Sequence, residues 1–186
     1  MSKTIGVIAE DVSDVEIVRI LARRLYTRPL GFRHNVGDGC GRIQSKCLAW
    51  AIDLKRRGCS HLIVIRDADK HNANELEQVL RAELRAAPIT SKVVVIPTIE
   101  IEAWLLADER AIKSVFNLKK TPPLIGNPET IDDPKKRLDA IVRSKSGGAR
   151  IYLNTIHNKS LAEHARMTSL RRCASFAPFE NFLLAL

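Results

Sequence analysis

Long apolar segments are missing from this sequence of 186 residues. No stretch approaches the roughly 20 apolar residues that are needed to span a bilayer. The chain opens with Met-Ser-Lys-Thr and continues directly into a strand-like segment, which is not the pattern of a secretory signal peptide. The four cysteines form no CxxC or Cys/His zinc spacing, so reduced thiols are expected rather than a disulfide framework. Together these absences predict a cytoplasmic protein without a membrane partner.

Aromatic residues and acids are also scarce. Aromatics make up 5% of the chain, so stacking against nucleic-acid bases is not indicated. The net charge is +9, with +3 from residues 1–107 and +6 from residues 108–186. A basic surface attracts the phosphate backbone of nucleic acids, but an ordinary solvated face can carry the same charge excess. Charge alone therefore leaves nucleic-acid binding as one of two interpretations.

The residues that are present predict an α/β fold. With 45% apolar residues, a chain of this length can bury a core of ordinary size. Four short β-rich apolar segments predict strands, and segments with apolar residues at helical spacing alternate with them. Strands are expected at residues 4–9, 32–36, 61–65 and 92–96, and helices at 13–25, 42–57 and 74–86. This order predicts a mostly parallel four-stranded sheet with helices on both faces.

The pattern changes after Ile99. Helices are predicted next, with a proline-rich loop and a flexible basic loop between them and helical fragments after them. The helices are expected at 100–108, 109–116 and 134–143, and the loops at 119–134 and 144–148. We therefore expect an α/β core, residues 1–108, and a basic helical extension, residues 109–186, packed together as one domain. The apolar end, residues 176–186, is expected to pack on the sheet, with docking of a partner as the alternative.

Several local features have a plain interpretation beside a functional one. Ser13 is predicted as the N-cap of the first helix, with Asp14 in its first turn. The glycine-rich loop at 37–41 could cradle a phosphate, but it lacks the G-K-[ST] ending of a P-loop and a simple turn is favoured. Trp104 is expected to anchor the core rather than to stack on bases. His71 is expected to be a solvated loop residue rather than a proton relay.

Acidic residues follow three of the four predicted strands. In an open parallel sheet, ligands bind outside the carboxyl ends of the strands. Carboxylates that converge there repel one another unless a cation lies among them, and an all-oxygen set suits Mg²⁺ or Mn²⁺. One Asp-x-Asp pair is more often a turn or a helix cap, but acids from three strand ends together favour a metal site. The acids concerned are Glu10, Asp11, Asp14, Asp67, Asp69, Glu100 and Glu102.

Two of these segments resemble the motifs of the Toprim family of nucleic-acid phosphotransfer enzymes. Residues 10–14 are similar to its E-G-x-x-D motif, and residues 67–69 are similar to its D-x-D motif at the end of the corresponding strand. Residues 96–108, 133–135 and 170–179 are similar to short bacterial Toprim-like proteins of uncharacterised function. That group is related to the overcoming-lysogenization-defect nucleases and to phage-defence effectors. The resemblance implies a Toprim-like (Rossmannoid) α/β fold with a helical C-terminal extension.

The resemblance also implies roles for the acids. Glu10 would be a metal ligand or a general acid–base, and Asp14 a second-site ligand or a support. Asp67 and Asp69 would hold the principal Mg²⁺ or Mn²⁺ ion, and Glu102 would complete the catalytic set. Glu100 is expected to point away from Glu102 and to act only as a supporting acid.

The sequence departs from the family pattern at several positions. Asp11 replaces the glycine of E-G-x-x-D, and Asn72 stands where a glycine often follows D-x-D. Related sequences have a lysine near residues 152–157, where this chain has Asn154, and Lys159 is the candidate substitute.

The acidic site and the resemblance together predict a metal-dependent nuclease that cleaves DNA or RNA, and the resemblance implies an effector of a phage-defence system with an ABC-type or other ATPase partner. The alternative is a non-catalytic Toprim-like subunit that recognises nucleic acid or an ATPase. The residues expected to contact nucleic acid are Lys135, Lys136, Arg137, Lys145, Arg150 and Lys159.

Overall fold

The computed structural model describes residues 3–37 and 40–186. The strands are β1 (Lys3–Ala9), β2 (Leu30–Val36), β3 (His61–Ile65) and β4 (Ser91–Val95). The α-helices are α1 (Val12–Leu25), α2 (Cys40–Arg56), α3 (Ala73–Glu83), α4 (Glu102–Leu106), α5 (Glu109–Val115), α6 (Pro134–Ser146), α7 (Asn154–His164), α8 (Met167–Leu170) and α9 (Phe176–Leu184). Short 3₁₀ turns lie at Leu84–Ala86 and Pro128–Thr130. The predicted alternation of strands and helices is confirmed.

The four strands form one sheet in the order β2-β1-β3-β4, and every neighbouring pair is parallel. The chain leaves β1 for one edge of the sheet and then returns to its other side, so β1 and β3 flank a topological switch point. Such a point opens a crevice at the carboxyl ends of the strands. The register aligns Ile8 with Val64, so the residues after β1 and β3 emerge side by side. The arrangement is Rossmann-like.

Alternating side chains of each strand point to opposite faces of the sheet and pack into two separate hydrophobic cores. Ile8, Leu62 and Val64 face α2 and α3, whereas their strand neighbours face α1 and the helices of the C-terminal part. That second set is Ile5, Val7, Ala9, Ile63 and Ile65. Because the C-terminal helices and α1 share one core, residues 109–186 cover the α1 face of the sheet.

Trp104 and α9 occupy the centre of this larger core. The indole of Trp104 is fully buried, donates from Nε1 to Ser175 Oγ at 2.8 Å, and meets the Phe176 ring edge-on at 5.2 Å. Phe176, Phe179 and Leu183 of α9 are fully buried. The predictions that Trp104 anchors the core and that residues 176–186 pack onto the sheet side are therefore confirmed.

The N-cap prediction for the first helix is wrong. Asp11 caps α1, because its Oδ1 accepts from the backbone N–H groups of Ser13 at 2.6 Å and Asp14 at 3.1 Å. Asp14 returns the contact, since its Oδ2 accepts from Asp11 N at 3.2 Å. This is a capping box, so the residue that stands where the Toprim motif has glycine is the one that starts the helix.

The predicted loop at 144–148 is also wrong in its first half. Helix α6 continues to Ser146 because no helix-breaking residue precedes Gly147. Gly147 and Gly148 then take positive φ values of 64° and 81°, which glycine adopts without a steric penalty. In the glycine-rich loop at 37–41, Asp38 and Gly39 lie outside the described residues. Within the described ranges, no helix is both long and apolar enough to cross a membrane.

Candidate metal centre

Four of the acids follow the ends of β3 and β4, namely Asp67, Asp69, Glu100 and Glu102. Backbone hydrogen bonds between the two segments continue beyond the strands. Arg66 N donates to Val95 O at 3.2 Å, Ala68 N to Pro97 O at 3.0 Å, and Asp69 N to Ile99 O at 3.0 Å. Asp69 has a positive φ of 50°, a conformation in which aspartate is enriched. The D-x-D segment is therefore fixed against the chain that leads into α4.

Asp67 is buried at the base of the site. Its Oδ1 accepts from the backbone N–H of Ile101 at 2.9 Å, at the start of α4. Burial raises the pKa of Asp67 well above its usual range, and the charges of Asp14 and Glu102 act in the same direction. Lys135 opposes this shift. Asp67 is therefore held in place by one backbone donor and is close to two other acids.

Glu102 lies in the first turn of α4 and is fully buried. Its Oε1 accepts from Asn158 Nδ2 at 2.9 Å. Within the part of the chain that the structure describes, no hydrogen-bond donor reaches its Oε2, whose cationic neighbour is Lys135 Nζ at 3.5 Å. Burial raises the pKa of Glu102, although Lys135 and Asn158 act against that shift.

Asp14 completes a cluster that we call the acidic group, namely Asp14, Asp67 and Glu102. Burial raises the pKa of Asp14 to about 8, and the charges of Asp11 and Glu102 add to the effect. Because the three carboxyls come from α1, the end of β3 and α4, the fold itself brings them together. Asp67 and Glu102 follow two different strands and act on each other's charge, while the metal site expected from the acids of three strand ends stays a prediction.

Lys135 lies among these acids, and this position corrects the expected orientation of Glu100 and Glu102, whereas the nucleic-acid contact expected at Lys135 stays a prediction. Its Nζ is 3.1 Å from Glu100 Oε1 and 3.5 Å from Glu102 Oε2, and its backbone N–H donates to Glu100 Oε2 at 3.2 Å. Burial lowers the pKa of Lys135, but Glu102, Glu100 and Asp67 outweigh burial and raise it. Lys135 is therefore an ion-pair partner of the acids rather than a free surface cation. Glu100 and Glu102 converge on it, whereas we expected them to point apart.

Glu10 and Arg66 follow β1 and β3 on the neighbouring side of the switch point. Glu10 is half-buried; burial raises its pKa, Asp69 adds to the shift, and Arg66 opposes it. Glu10 Oε1 and the Nε and Nη1 atoms of Arg66 are buried without a hydrogen-bond partner among the described residues. Asp69 and Arg66 therefore both act electrostatically on Glu10, which lies at the edge of the acidic group.

Sequence reasoning missed Arg66, Tyr152 and Asn158. Asn158 links Glu102 to Tyr152, because the Tyr152 hydroxyl donates to Asn158 Oδ1 at 2.5 Å. The Nδ2 atom of Asn158 is also 3.4 Å from Ser13 Oγ. Arg66 could have been noticed as a charged residue directly between a buried strand and the D-x-D motif. No sequence signal marks Asn158, because its contacts depend on how α7 packs against α1 and α4.

The acids at this site have the chemistry that a hard divalent cation prefers, although their present arrangement among the described residues forms no metal site. All of them are carboxylates, and Glu10 Oε1 and Glu102 Oε2 are buried without a donor from the described residues. As the side chains stand, residues 3–37 and 40–186 contain no group of three or more His, Cys, Asp or Glu placed to hold a metal ion. Lys135 instead supplies the positive charge beside Glu102.

The other predicted nucleic-acid contacts are spread along α6 and beyond. Arg137 is exposed, and Lys136 is exposed with its Nζ 2.6 Å from Asp133 Oδ2. Lys145 and Arg150 line a cavity of about 560 Å³ at the far end of α6, ten residues or roughly 15 Å from Lys135. Lys159 is exposed and lines a pocket of about 280 Å³ with Ser13 and Asn158. His71, which was not among the predicted contacts, is exposed as expected.

One comparison with known proteins gave a match. A family model described as a domain of unknown function (DUF4276) matches residues 16–184. No curated protein and no solved structure matches the chain. The matched range contains Asp67, Glu102, Lys135 and Asn158, and it begins after Glu10 and Asp14.

Proposed function

The chain belongs to the DUF4276 family, whose description assigns no activity, and from its site we propose that it is a metal-dependent nuclease. It would hydrolyse phosphodiester bonds of DNA or RNA with Mg²⁺ or Mn²⁺. The observation that carries this proposal is the buried Glu102 Oε2, which receives no hydrogen bond from the described residues while other carboxylates crowd around it. This oxygen has no hydrogen-bond donor among the described residues, and its cationic neighbour Lys135 Nζ is 3.5 Å away, so we expect a more closely bound cation to stabilise it.

In this proposal the chain positions its acids before any substrate arrives. Ile101 N–H orients Asp67, and Asn158 orients Glu102. Glu10, Asp14, Asp67, Asp69 and Glu102 would hold one or two ions. When bound, such an ion activates a water molecule and neutralises charge on a phosphoryl group.

Glu10 is the candidate general acid–base at the edge of this site. Its raised pKa, caused first by burial, brings it closer to neutrality than an exposed glutamate. The exposed cations of α6 would then attract the phosphate backbone.

The finer assignment rests on resemblance. We propose a Toprim-like domain that works in the cytoplasm as a phage-defence effector with an ATPase partner. Support comes from the D-x-D segment at the end of β3, beside the switch point of a parallel sheet. Residues 96–108, 133–135 and 170–179 carry the similarity to short Toprim-like proteins.

One observation favours the alternative, a non-catalytic binding or regulatory subunit. Lys135 already places a positive charge beside Glu100 and Glu102, so part of the acidic cluster is neutralised without an ion. A domain of this kind would recognise nucleic acid or an ATPase without cleaving a bond.

A nuclease assay with matched variants separates these functions. Purified protein is incubated with labelled single- and double-stranded DNA and RNA in Mg²⁺, Mn²⁺ or EDTA. Asp67→Asn removes one charge from the acidic group but keeps the acceptor for Ile101 N–H, and Asp132→Asn makes the same change at an exposed position. We expect metal-dependent cleavage by the wild type and Asp132→Asn but not by Asp67→Asn. Cleavage that persists in Asp67→Asn would contradict the proposed site, and metal binding without cleavage by any protein would favour the alternative.

A further inference from the structure

Lys135 occupies the position that a cation bound to Glu102 would need. Glu102 is fully buried and its Oε2 atom is shielded from solvent. Lys135 Nζ lies 3.5 Å from that oxygen. A divalent ion at the same oxygen would place two cations within a few ångströms of each other, where their repulsion is large. Lys135 in its observed position therefore opposes metal binding at Glu102.

The side chain of Lys135 can move from the acids into an adjacent cleft. It is 35% exposed, and it lines an open cleft of about 570 Å³ together with Lys136, Arg143, Tyr152 and Asn154. Its backbone N–H is held by Glu100 Oε2 at the start of α6, whereas its four-carbon stem can rotate. The ammonium can thus leave the acids without any change in the helix.

We propose that Lys135 is a resident cation that closes the acidic group in the metal-free protein, and that a divalent ion displaces it into the adjacent cleft, where it binds a phosphate of the substrate. This inference rests on the proposed function. A released ammonium would join Lys136 and Arg143, which pair with Asp133 and Asp139, and the cleft would then hold three cations beside one lining acid, Asp139. Metal and nucleic acid would then each raise the affinity for the other, because both favour the displaced lysine.

Metal affinity gives the first test. Binding of Mn²⁺ is measured by calorimetry for the wild type, Lys135→Met and Lys46→Met, the last being the same change at an exposed position on α2. We expect Lys135→Met to bind Mn²⁺ about tenfold more tightly, because the competing cation is gone, and Lys46→Met to match the wild type. Equal or weaker binding by Lys135→Met would overturn the inference, whereas failure of every protein to bind Mn²⁺ would overturn the proposed function as well.

Lysine reactivity gives a second test that needs no variant. The wild-type protein is treated with an acylating reagent in EDTA or in Mg²⁺, and modification of each lysine is measured by mass spectrometry. We expect modification of Lys135 to rise severalfold in Mg²⁺ while that of the exposed Lys46 stays constant. Unchanged modification of Lys135 in saturating Mg²⁺ would show that the lysine is not displaced.

Nucleic-acid binding tests the coupling. A fluorescent single-stranded DNA 12-mer with phosphorothioate linkages is titrated by anisotropy in EDTA and in Mg²⁺. We expect Mg²⁺ to strengthen binding to the wild type at least fivefold more than binding to Lys135→Met. The same Mg²⁺ effect on both proteins would contradict the role of Lys135 in the cleft.

Discussion

Asn158 donates a hydrogen bond from Nδ2 to Glu102 Oε1 at 2.9 Å, and this contact joins α7 to α4 inside the protein. The same side chain accepts from the Tyr152 hydroxyl at 2.5 Å. Glu102, Asn158 and Tyr152 thus form a buried chain in which the amide holds the carboxylate. The orientation of Glu102 therefore depends on residues fifty or more positions away in the sequence.

Removing Asn158 should harm the site more than removing the Tyr152 hydroxyl. Asn158→Ala leaves Glu102 without its donor, and we expect the free energy of unfolding to fall by about 1–3 kcal/mol. Tyr152→Phe loses one neutral hydrogen bond and keeps the bond to Glu102, so a loss of about 1 kcal/mol is expected. Urea unfolding in EDTA measures both. An equal or larger loss in Tyr152→Phe would contradict the idea that Asn158 acts mainly on Glu102.

Asp67→Asn should stabilise the metal-free protein. The amide keeps an oxygen for Ile101 N–H and removes a charge that burial and two neighbouring acids disfavour. Because the pKa of Asp67 is raised in the folded state, its contribution to stability is present at low pH and is lost as the pH rises above 3.8, the usual pKa of an unfolded aspartate. The advantage of Asp67→Asn over the wild type should therefore grow with pH.

Thermal unfolding in EDTA at pH 5.5 and pH 8 tests this prediction, with Asp132→Asn as the control for a surface aspartate. We expect a higher Tm for Asp67→Asn at pH 8 and a smaller difference at pH 5.5. If Asp67→Asn were less stable than the wild type at pH 8, the charge would have to be compensated by contacts other than those described above.

The strands and the acids at their ends could be predicted because both depend on local sequence. Residues 62–65 are all apolar, which is typical of a buried parallel strand, and Asp67 follows them after a single residue, Arg66. The position of Lys135 could not be predicted in this way. It meets Glu100 only because α6 packs against α4, and a basic residue next to other basic residues is typical of a solvated face.

The predicted N-cap of α1 was wrong for a different reason. Asp11, Ser13 and Asp14 are all good capping residues, so the sequence does not select one of them. The structure selects Asp11 because β1 ends at Ala9 and the helix begins at Val12. The Toprim E-G-x-x-D motif has glycine at the position of Asp11, so it does not predict a capping role there.

The ion pair between Asp108 and Arg166 should make the fold sensitive to acid. Asp108 is buried and accepts from Arg166 through the backbone N at 2.6 Å, Nε at 2.9 Å and Nη2 at 2.8 Å. Burial would raise the pKa of Asp108, but these bonds and the N–H groups that open α5 lower it to about 2. Because the folded-state pKa is depressed, the stabilisation is present above pH 4 and is lost between about pH 4 and pH 2.

Asp108→Asn tests this link between α5 and α8. We expect it to cost about 1–2 kcal/mol at pH 6, since Arg166 is partly exposed and its charge is screened by solvent. At pH 2.5 the difference from the wild type should be smaller. Urea unfolding at both pH values, with Asp132→Asn as control, measures the effect. A difference that is independent of pH would indicate that the loss comes from packing rather than from charge.

Lys145 and Arg150 should contribute to nucleic-acid affinity without taking part in the chemistry. They line the cavity at the far end of α6, roughly 15 Å from Lys135, so they could contact a phosphate some distance along the backbone. We expect the double change Lys145→Ala/Arg150→Ala to weaken DNA binding in EDTA regardless of sequence. The slope of log K against log salt should fall by up to about two, because up to two phosphate contacts are lost. The matched control is Lys46→Ala/Lys55→Ala, which removes the same charge from exposed positions of α2. If both double variants changed the affinity and the salt slope equally, the effect would be one of net charge, and the far end of α6 would not be a contact surface.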